Sequence, residues 1–257
     1  MKRVSHLLAA ALPLAIGLSA CADWDNPTAL SELAPEVEFE IEAAEIETFE
    51  EVEIHVHVSE SGAPMQMHRS QLEIQHADGG EPRLVEMEPE GDGYAAHVLF
   101  FEQGEYHLHF HGQPKGHAIM AELGEHEIDV HRQHRVIGPY LAELEVSPAP
   151  VEENSTAHVM VFVFDLQPDG SAGAPAGGLD VEMAIHAPDG DDTALSVVEE
   201  DTGEYEGEYS FGNAGMYELH VEILVGTVHE EGEFHIPVLS PEGEGDTGGE
   251  GGGHGHG

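Results

Sequence analysis

Residues 105–134 read EYHLHFHGQPKGHAIMAELGEHEIDVHRQH. Tyr106, Leu108 and Phe110 share one parity, and His107, His109 and His111 share the other. Successive side chains of a β-strand point to opposite faces, so this is a strand with an apolar, aromatic core face and a row of imidazoles turned outward. A turn built from Gly112, Pro114, Lys115 and Gly116 follows, then His117 and Met120, then a second strand ending at Ile128 and Val130. Imidazole and thioether are transition-metal ligands, and the pairing favours copper over calcium or magnesium.

Working outward, the same alternation recurs on both sides. Val37–Ile41, Val52–Val58, Leu72–Ile74, Leu84–Met87 (more weakly) and Tyr94–Phe100 precede Tyr106–His111 and Glu125–His131. Seven short strands over about 100 residues, with no helical periodicity, are expected to form an immunoglobulin-like sandwich. Seven further candidates follow: Leu141–Val146, Ala157–Phe164, Leu179–Ile185, Leu195–Val198, Tyr205–Phe211, Met216–Val221 and Glu233–Val238. Tyr94, Gly104, Tyr106 and His109 align with Tyr205, Gly215, Tyr217 and His220, so the chain is a tandem repeat of about 105 residues rather than a solenoid. The fold class is therefore all-β, two tandem immunoglobulin-like β-sandwich domains. The first is placed at 36–135, rich in His and Met, and the second at 136–238.

The ends differ in composition. Lys2 and Arg3 precede an apolar run, Leu7 to Leu18, that is too short for a standard membrane span. Leu18-Ser19-Ala20-Cys21 resembles a bacterial lipobox, which implies a signal peptide at 1–20 and lipidation of Cys21. Residues 21–35 then read as a tether, and Ala22 lacks the aspartate of an inner-membrane retention signal. The expected location is the cell envelope, on the periplasmic face of the outer membrane if the host is Gram-negative. Cys21 is the single cysteine, which excludes a disulfide or a thiolate metal site. Residues 239–257 are Gly- and Glu-rich and are expected to be disordered, with His254 and His256 as loose metal-catching groups.

The charge is extreme. After Cys21, five basic residues stand against 52 acids, a formal charge of −47. Nucleic-acid binding and docking on anionic lipid headgroups are excluded, because almost nothing could neutralise phosphate. Such a surface suits a salty medium, and its field also attracts cations.

Gly91-x-Gly93-Tyr94, then Gly104-x-Tyr106-x-Leu108-x-Phe110-His111, then Gly116-His117-x-x-Met120 make the first unit resemble the YtkA-like or FixH-like family of bacterial extracytoplasmic domains. The second unit is similar more weakly. The resemblance implies an anchored immunoglobulin-like sandwich, links to metal or respiratory-oxidase physiology with an oxidase or other envelope partner, and no catalytic activity.

Three groupings of metal-type side chains emerge if the strands are ordered as in an immunoglobulin sandwich. His55, His57 and His97 share the outer face of one sheet. His107, His109, His111 and His131 share the outer face of the other. The third grouping is at one end of the sandwich, where the loop after the second strand carries Met65, Met67 and His68. It would meet the loop after the sixth strand, which carries His111, His117 and Met120. Met65, Met67, His68, His111, His117 and Met120 are the expected copper ligands, drawn on three or four at a time, as soft Cu(I) sites require. The arrangement is loosely similar to periplasmic copper chaperones, although the His117-x-x-Met120 spacing departs from theirs. Gap-filling at the sandwich end is the competing reading of Met65 and Met67. The corresponding loop of the second unit, DLQPDGSAGAPAGG, has neither Met nor His. His76 and His186, matched at the end of the third strands, read as structural. No G-x-S-x-G, H-E-x-x-H or phosphate-cradling glycine loop is present, and the acidic turn at Asp189–Asp192 lacks EF-hand spacing. The sequence thus points to a non-catalytic lipoprotein that binds or delivers copper. The alternative is a structural or interaction lipoprotein whose domains bind another envelope protein.

Overall fold

The computed structural model describes residues 34–241. The expected signal peptide, Cys21, most of the tether, and His254 and His256 of the tail lie outside the described residues.

Ten strands form the first unit: β1 (Glu36–Ile41), β2 (Ile46–Glu47), β3 (Glu51–Glu60), β4 (Ala63–Pro64), β5 (Met67–His76), β6 (Arg83–Glu86), β7 (Glu88–Glu90), β8 (Gly93–Leu99), β9 (Gly104–Pro114) and β10 (Ala121–His131). One sheet has the order β1-β3-β8-β7, with β4 on β3, and the other β2-β10-β9-β5-β6. Every pairing is antiparallel except that of β2 with β10. The alternating strands place Val52, Ile54, Val56 and Val58 of β3 against Leu72, Leu108 and Phe110 of the facing sheet. Each such side chain, fully buried, contributes roughly 1.5–3 kcal/mol relative to exposure.

Eleven strands form the second unit: β11 (His134–Ile137), β12 (Tyr140–Ser147), β13 (Val151–Glu152), β14 (Ser155–Leu166), β15 (Ala172–Pro175), β16 (Val181–His186), β17 (Asp192–Ala194), β18 (Val198–Asp201), β19 (Glu204–Phe211), β20 (Gly215–Val225) and β21 (Val228–Leu239). Their sheets, β11-β12-β14-β19-β18 with β15 on β14 and β13-β21-β20-β16-β17, repeat the first topology strand for strand apart from β11. The molecule is a tandem pair of immunoglobulin-like β-sandwiches with no helix among the described residues.

Two details differ from the pattern read off the sequence. The weak fourth strand is two strands on opposite sheets, β6 on β5 and β7 on β8. The chain crosses between them at buried Met87, whose amide donates to Ser70 O at 3.0 Å and whose carbonyl accepts from Ser70 Oγ at 3.0 Å. His134 and Arg135 lie in β11, which pairs with β12 of the second sandwich.

The sandwiches are joined by a packed seam. Phe49 of the first unit is buried in the second unit's core and lies 6.4 Å from Phe101. Gln133, fully buried, accepts the His235 amide at 2.8 Å, donates to His235 O at 3.2 Å and donates to Thr48 O at 3.3 Å. Arg135 reaches Glu47 and Glu50 at 3.2 and 3.0 Å, and Arg132 sits 4.3 Å over the Phe162 ring. Two of the chain's few cations are thus committed to the seam.

Candidate metal centre

The row of imidazoles lies on β9, the middle strand of its sheet. Burial of Tyr106, Leu108 and Phe110 on the inner face directs His107, His109 and His111 outward. Register sets His107 between Glu127 of β10 and Gln75 of β5, His109 between Glu125 and Glu73, and His111 between Glu122 and Gln71. Every imidazole in the row therefore faces a carboxylate. Glu73 Oε2 is 3.0 Å from His111 Nε2, Glu122 Oε1 is 3.4 Å from His109 Nδ1, and Glu127 Oε1 is 3.6 Å from His107 Nδ1.

Strand periodicity alone would send Glu122 and Glu125 to opposite faces. A β-bulge between Glu122 and Gly124 adds Leu123 as an extra residue and returns Glu125 to the face of Glu122. Gly124 makes this possible, because a Cβ there would stand 2.8 Å from Val37 Cβ. The result is a group of His109, Glu122 and Glu125 whose ligand atoms lie within 4.8 Å of one another. His109 Nδ1 and His111 Nε2 are shielded from solvent and make no hydrogen bond, since the nearby carboxylates approach them out of line. On β10, His126 stacks on Phe39 at 5.3 Å, and burial lowers its pKa below 6.5.

The six residues singled out from the loops are placed differently. The loops do converge: Lys115 donates its amide to Gln66 O at 2.9 Å and its Nζ to Gln66 Oε1 at 2.6 Å. Met67, however, is a core residue, with its Sδ beside Gly112 and its amide donating to Tyr94 Oη at 2.6 Å. Met65 packs half-buried on the same core, and its carbonyl accepts from Tyr94 Oη at 3.3 Å. In the second sandwich Tyr205 Oη binds the Leu179 amide at 2.9 Å and the Ala176 carbonyl at 3.3 Å. Both methionines thus hold places that the duplicate fills with Leu and Ala, which is packing chemistry. His68 is the exposed extra residue of a bulge between Met67 and Arg69. His111 turns to Glu73 on the sheet face. His117 lies in the turn, its amide donating to Pro114 O and its carbonyl accepting from Gln113 Nε2, and Met120 is half-buried just before β10. His68, His111 and His117 belong to no close group of three or more His, Cys, Asp or Glu side chains among the described residues. Arg69 and Lys115 also place positive charge at this end of a chain that has very little of it.

On the opposite sheet, His55 Nε2 and His97 Nε2 approach the same Glu53 oxygen at 3.4 and 3.9 Å, and Glu53, His55 and Glu90 form a second close group. His57 stands apart, 3.1 Å from Asp92 and 3.7 Å from Glu40. His131 lies past the far end of the imidazole row, paired in register with Glu47. His76 is held by local structure: Nδ1 accepts the Asp78 amide at 3.2 Å and the ring meets Tyr106 edge-on. The members of the His109 group that sequence reasoning missed are Glu122 and Glu125. Gly124 inside a strand pattern was the available signal for the bulge that brings them together.

No family model matches the chain, and no curated protein matches it. Among solved structures it is similar to a Salmonella α2-macroglobulin reacted with methylamine, at 14% identity and TM-score 0.30, covering 79% of this chain and 14% of that one. The chain therefore spans about one seventh of that protein's length. It is also similar to the Escherichia coli adhesin FdeC, at 16% identity and TM-score 0.29, covering 79% of this chain and 63% of that one. A segment of two fibronectin type-III domains from chicken tenascin is similar at 10% identity and TM-score 0.28, covering 79% of this chain and 99% of that one. These likenesses concern the fold alone.

Proposed function

We propose that this chain is a non-catalytic, lipid-anchored cell-envelope protein that binds a divalent transition-metal ion, copper(II) or zinc, on the outer face of β9 and β10. His109, Glu122 and Glu125 are the ligands, with His107 and His111 as neighbours able to exchange in. The observation that carries this reading is the close His109–Glu122–Glu125 group, whose His109 Nδ1 is shielded from water and has no hydrogen-bond partner. Imidazole nitrogen with carboxylate oxygen suits zinc and copper(II), whereas copper(I) prefers the softer thioethers. The expected Met/His loop site gives way to the sheet face because Met67 is committed to the core and Arg69 and Lys115 oppose a cation at the loops. The acidic surface supports the reading, since its field raises the local cation concentration. The Leu18–Cys21 lipobox supports the anchor, and the YtkA-like or FixH-like pattern of residues 91–120 accords with an extracytoplasmic metal role.

Calorimetric titration of the full chain with Zn²⁺ and with Cu²⁺, together with a competition titration with Cu(I), tests the site. Replacing His109 and Glu125 together by Gln is expected to weaken one binding event by about tenfold or more. The Met65→Leu, Met67→Leu, Met120→Leu variant is expected to bind as the parent does. Unchanged affinity in the His109/Glu125 variant would sink the sheet-face site. Loss of Cu(I) binding confined to the methionine variant would move the metal to the loops.

A further inference from the structure

The first domain is not alone in presenting imidazoles and carboxylates on the face of its last two strands. In the second sandwich, β20 and β21 pair so that Glu218 faces His235 and His220 faces Glu233. The inner face explains why all four point outward: Tyr217, Leu219 and Val221 of β20, with Phe234 and Ile236 of β21, are buried in the core. Each strand thus alternates one acid and one imidazole on its outer face, and the two strands do so out of phase. The four side chains form a checkerboard in which each imidazole is bordered by both carboxylates or stands directly beside one.

The four groups lie within a few ångströms of one another. His220 Nε2 lies 3.9 Å from Glu218 Oε2 and 4.0 Å from Glu233 Oε2, and His235 Nε2 lies 3.4 Å from Glu233 Oε1. Glu218, Glu233 and His235 offer ligand atoms within 4.8 Å of one another. None of the four is seated in a tight hydrogen bond. This differs from His186, whose Nδ1 is 2.6 Å from Asp192, and from His158 and His229, each in close contact with a single glutamate.

A second, independent observation points the same way. By the register of the duplicated strands, Tyr106 with Ile128 corresponds to Tyr217 with Ile236, so the His109–Glu125 pair corresponds to His220–Glu233. The neighbouring pair, His107–Glu127, corresponds to Glu218–His235. There the acid and the imidazole have changed strands, yet the pair still contains one of each. The loops of the two domains share no ligand residues; on the other sheet a single acid–imidazole pair also recurs, Glu53–His97 corresponding to His158–Glu208, whereas on this face two adjacent pairs do.

We infer that the second sandwich holds its own divalent-cation site, built from His220, His235, Glu218 and Glu233, with zinc or a metal of similar preference as ligand. Two imidazoles and two carboxylates match the four-coordinate demand of Zn²⁺, and antiparallel neighbouring strands supply all four without a loop. The site goes beyond the proposed function because it uses none of the same residues. The chain then takes up two ions, one per domain, on corresponding faces.

The test is a Zn²⁺ titration of the full chain at pH 7.5, reading stoichiometry and affinity, with the parent compared to three double variants. His220→Gln with His235→Gln is expected to remove one equivalent or weaken it by about tenfold or more. His158→Gln with His229→Gln, which removes two imidazoles from the same domain but outside the checkerboard, is expected to change nothing. The tail histidines are present in every protein, so their contribution cancels. Thermal melts without metal report whether each variant is folded. The Zn²⁺-induced rise in melting temperature provides a second readout. Loss of binding in both variants alike would overturn the inference in favour of diffuse uptake by an acidic surface, and so would unchanged binding in His220→Gln/His235→Gln. The His109→Gln/Glu125→Gln variant separates the two readings. If it alone loses an equivalent, the first-domain site stands and this one falls; if only His220→Gln/His235→Gln does, the reverse holds.

Discussion

At the scale of single residues, the seam concentrates the chain's most demanding polar groups. Gln133 has no exposed surface, and its amide satisfies both the N–H and the C=O of His235 as well as the carbonyl of Thr48. Gln133→Leu keeps the volume but leaves these groups unpartnered. A loss of roughly 2–3 kcal/mol is expected, measured by urea denaturation; a loss below half of that would mean that water replaces the amide. Glu47 gives a pH signature. Its carboxylate lies 2.6 Å from His134 Nδ1 and 3.2 Å from Arg135 Nη1, yet burial outweighs both and raises its pKa above 4.5. The folded chain therefore holds this proton more tightly than the unfolded chain. Its stabilising effect is full below pH 4.5 and is lost as pH rises through the folded value. Relative to Glu47→Gln, the parent is expected to gain stability as pH falls through that window and to level off below it. Stepwise-pH denaturation showing the opposite slope would reverse the assignment.

At the scale of elements, the bulge in β10 carries the argument. Alternation of residues 105–111 and 125–131 is plain in the sequence, and so is the outward row of histidines. That Glu122 and Glu125 share a face is not, because their spacing of three places them on opposite faces of any regular strand. The bulge depends on Gly124 fitting against Val37, a residue 87 positions earlier. Gly124→Ala is expected to destabilise the fold by about 1–3 kcal/mol and to weaken metal binding at His109 in the same variant. A stability loss with unaltered Zn²⁺ affinity would show that the bulge does not position the ligands. The fourth strand illustrates the same limit. The weak run at 84–87 could not reveal that the chain changes sheets at Met87, because the pairing partners, β5 and β8, are distant in sequence.

At the scale of the whole molecule, the two sandwiches share one hydrophobic joint. Phe49, with φ of 64°, is held in the left-handed region by its surroundings and inserts into the second domain's core. Phe49→Ala is expected to cost about 3–4 kcal/mol and to split a single calorimetric transition into two, as each sandwich unfolds by itself. A single transition merely shifted to lower temperature would mean that the polar contacts of Gln133 and Arg135 suffice to couple the domains. The duplication also changes how the second domain is understood. Its loops lack Met and His, which made it look like a plain scaffold, but its β20–β21 face repeats the imidazole–carboxylate arrangement of β9–β10.

Local patterning by itself determined the all-β class, the tandem repeat, the inward aromatic faces and the outward histidines, because strand periodicity is a property of neighbouring residues. It also determined the extreme negative charge of the chain. Tertiary structure decided which of these groups meet. Met67 has the chemistry of a copper ligand but the place of a core residue, fixed by Tyr94 and Gly112 from other strands. Glu122 and Glu125 have the chemistry of any surface acid. They gain proximity to His109 only through strand register and a bulge, which depend on long-range packing that no local pattern encodes.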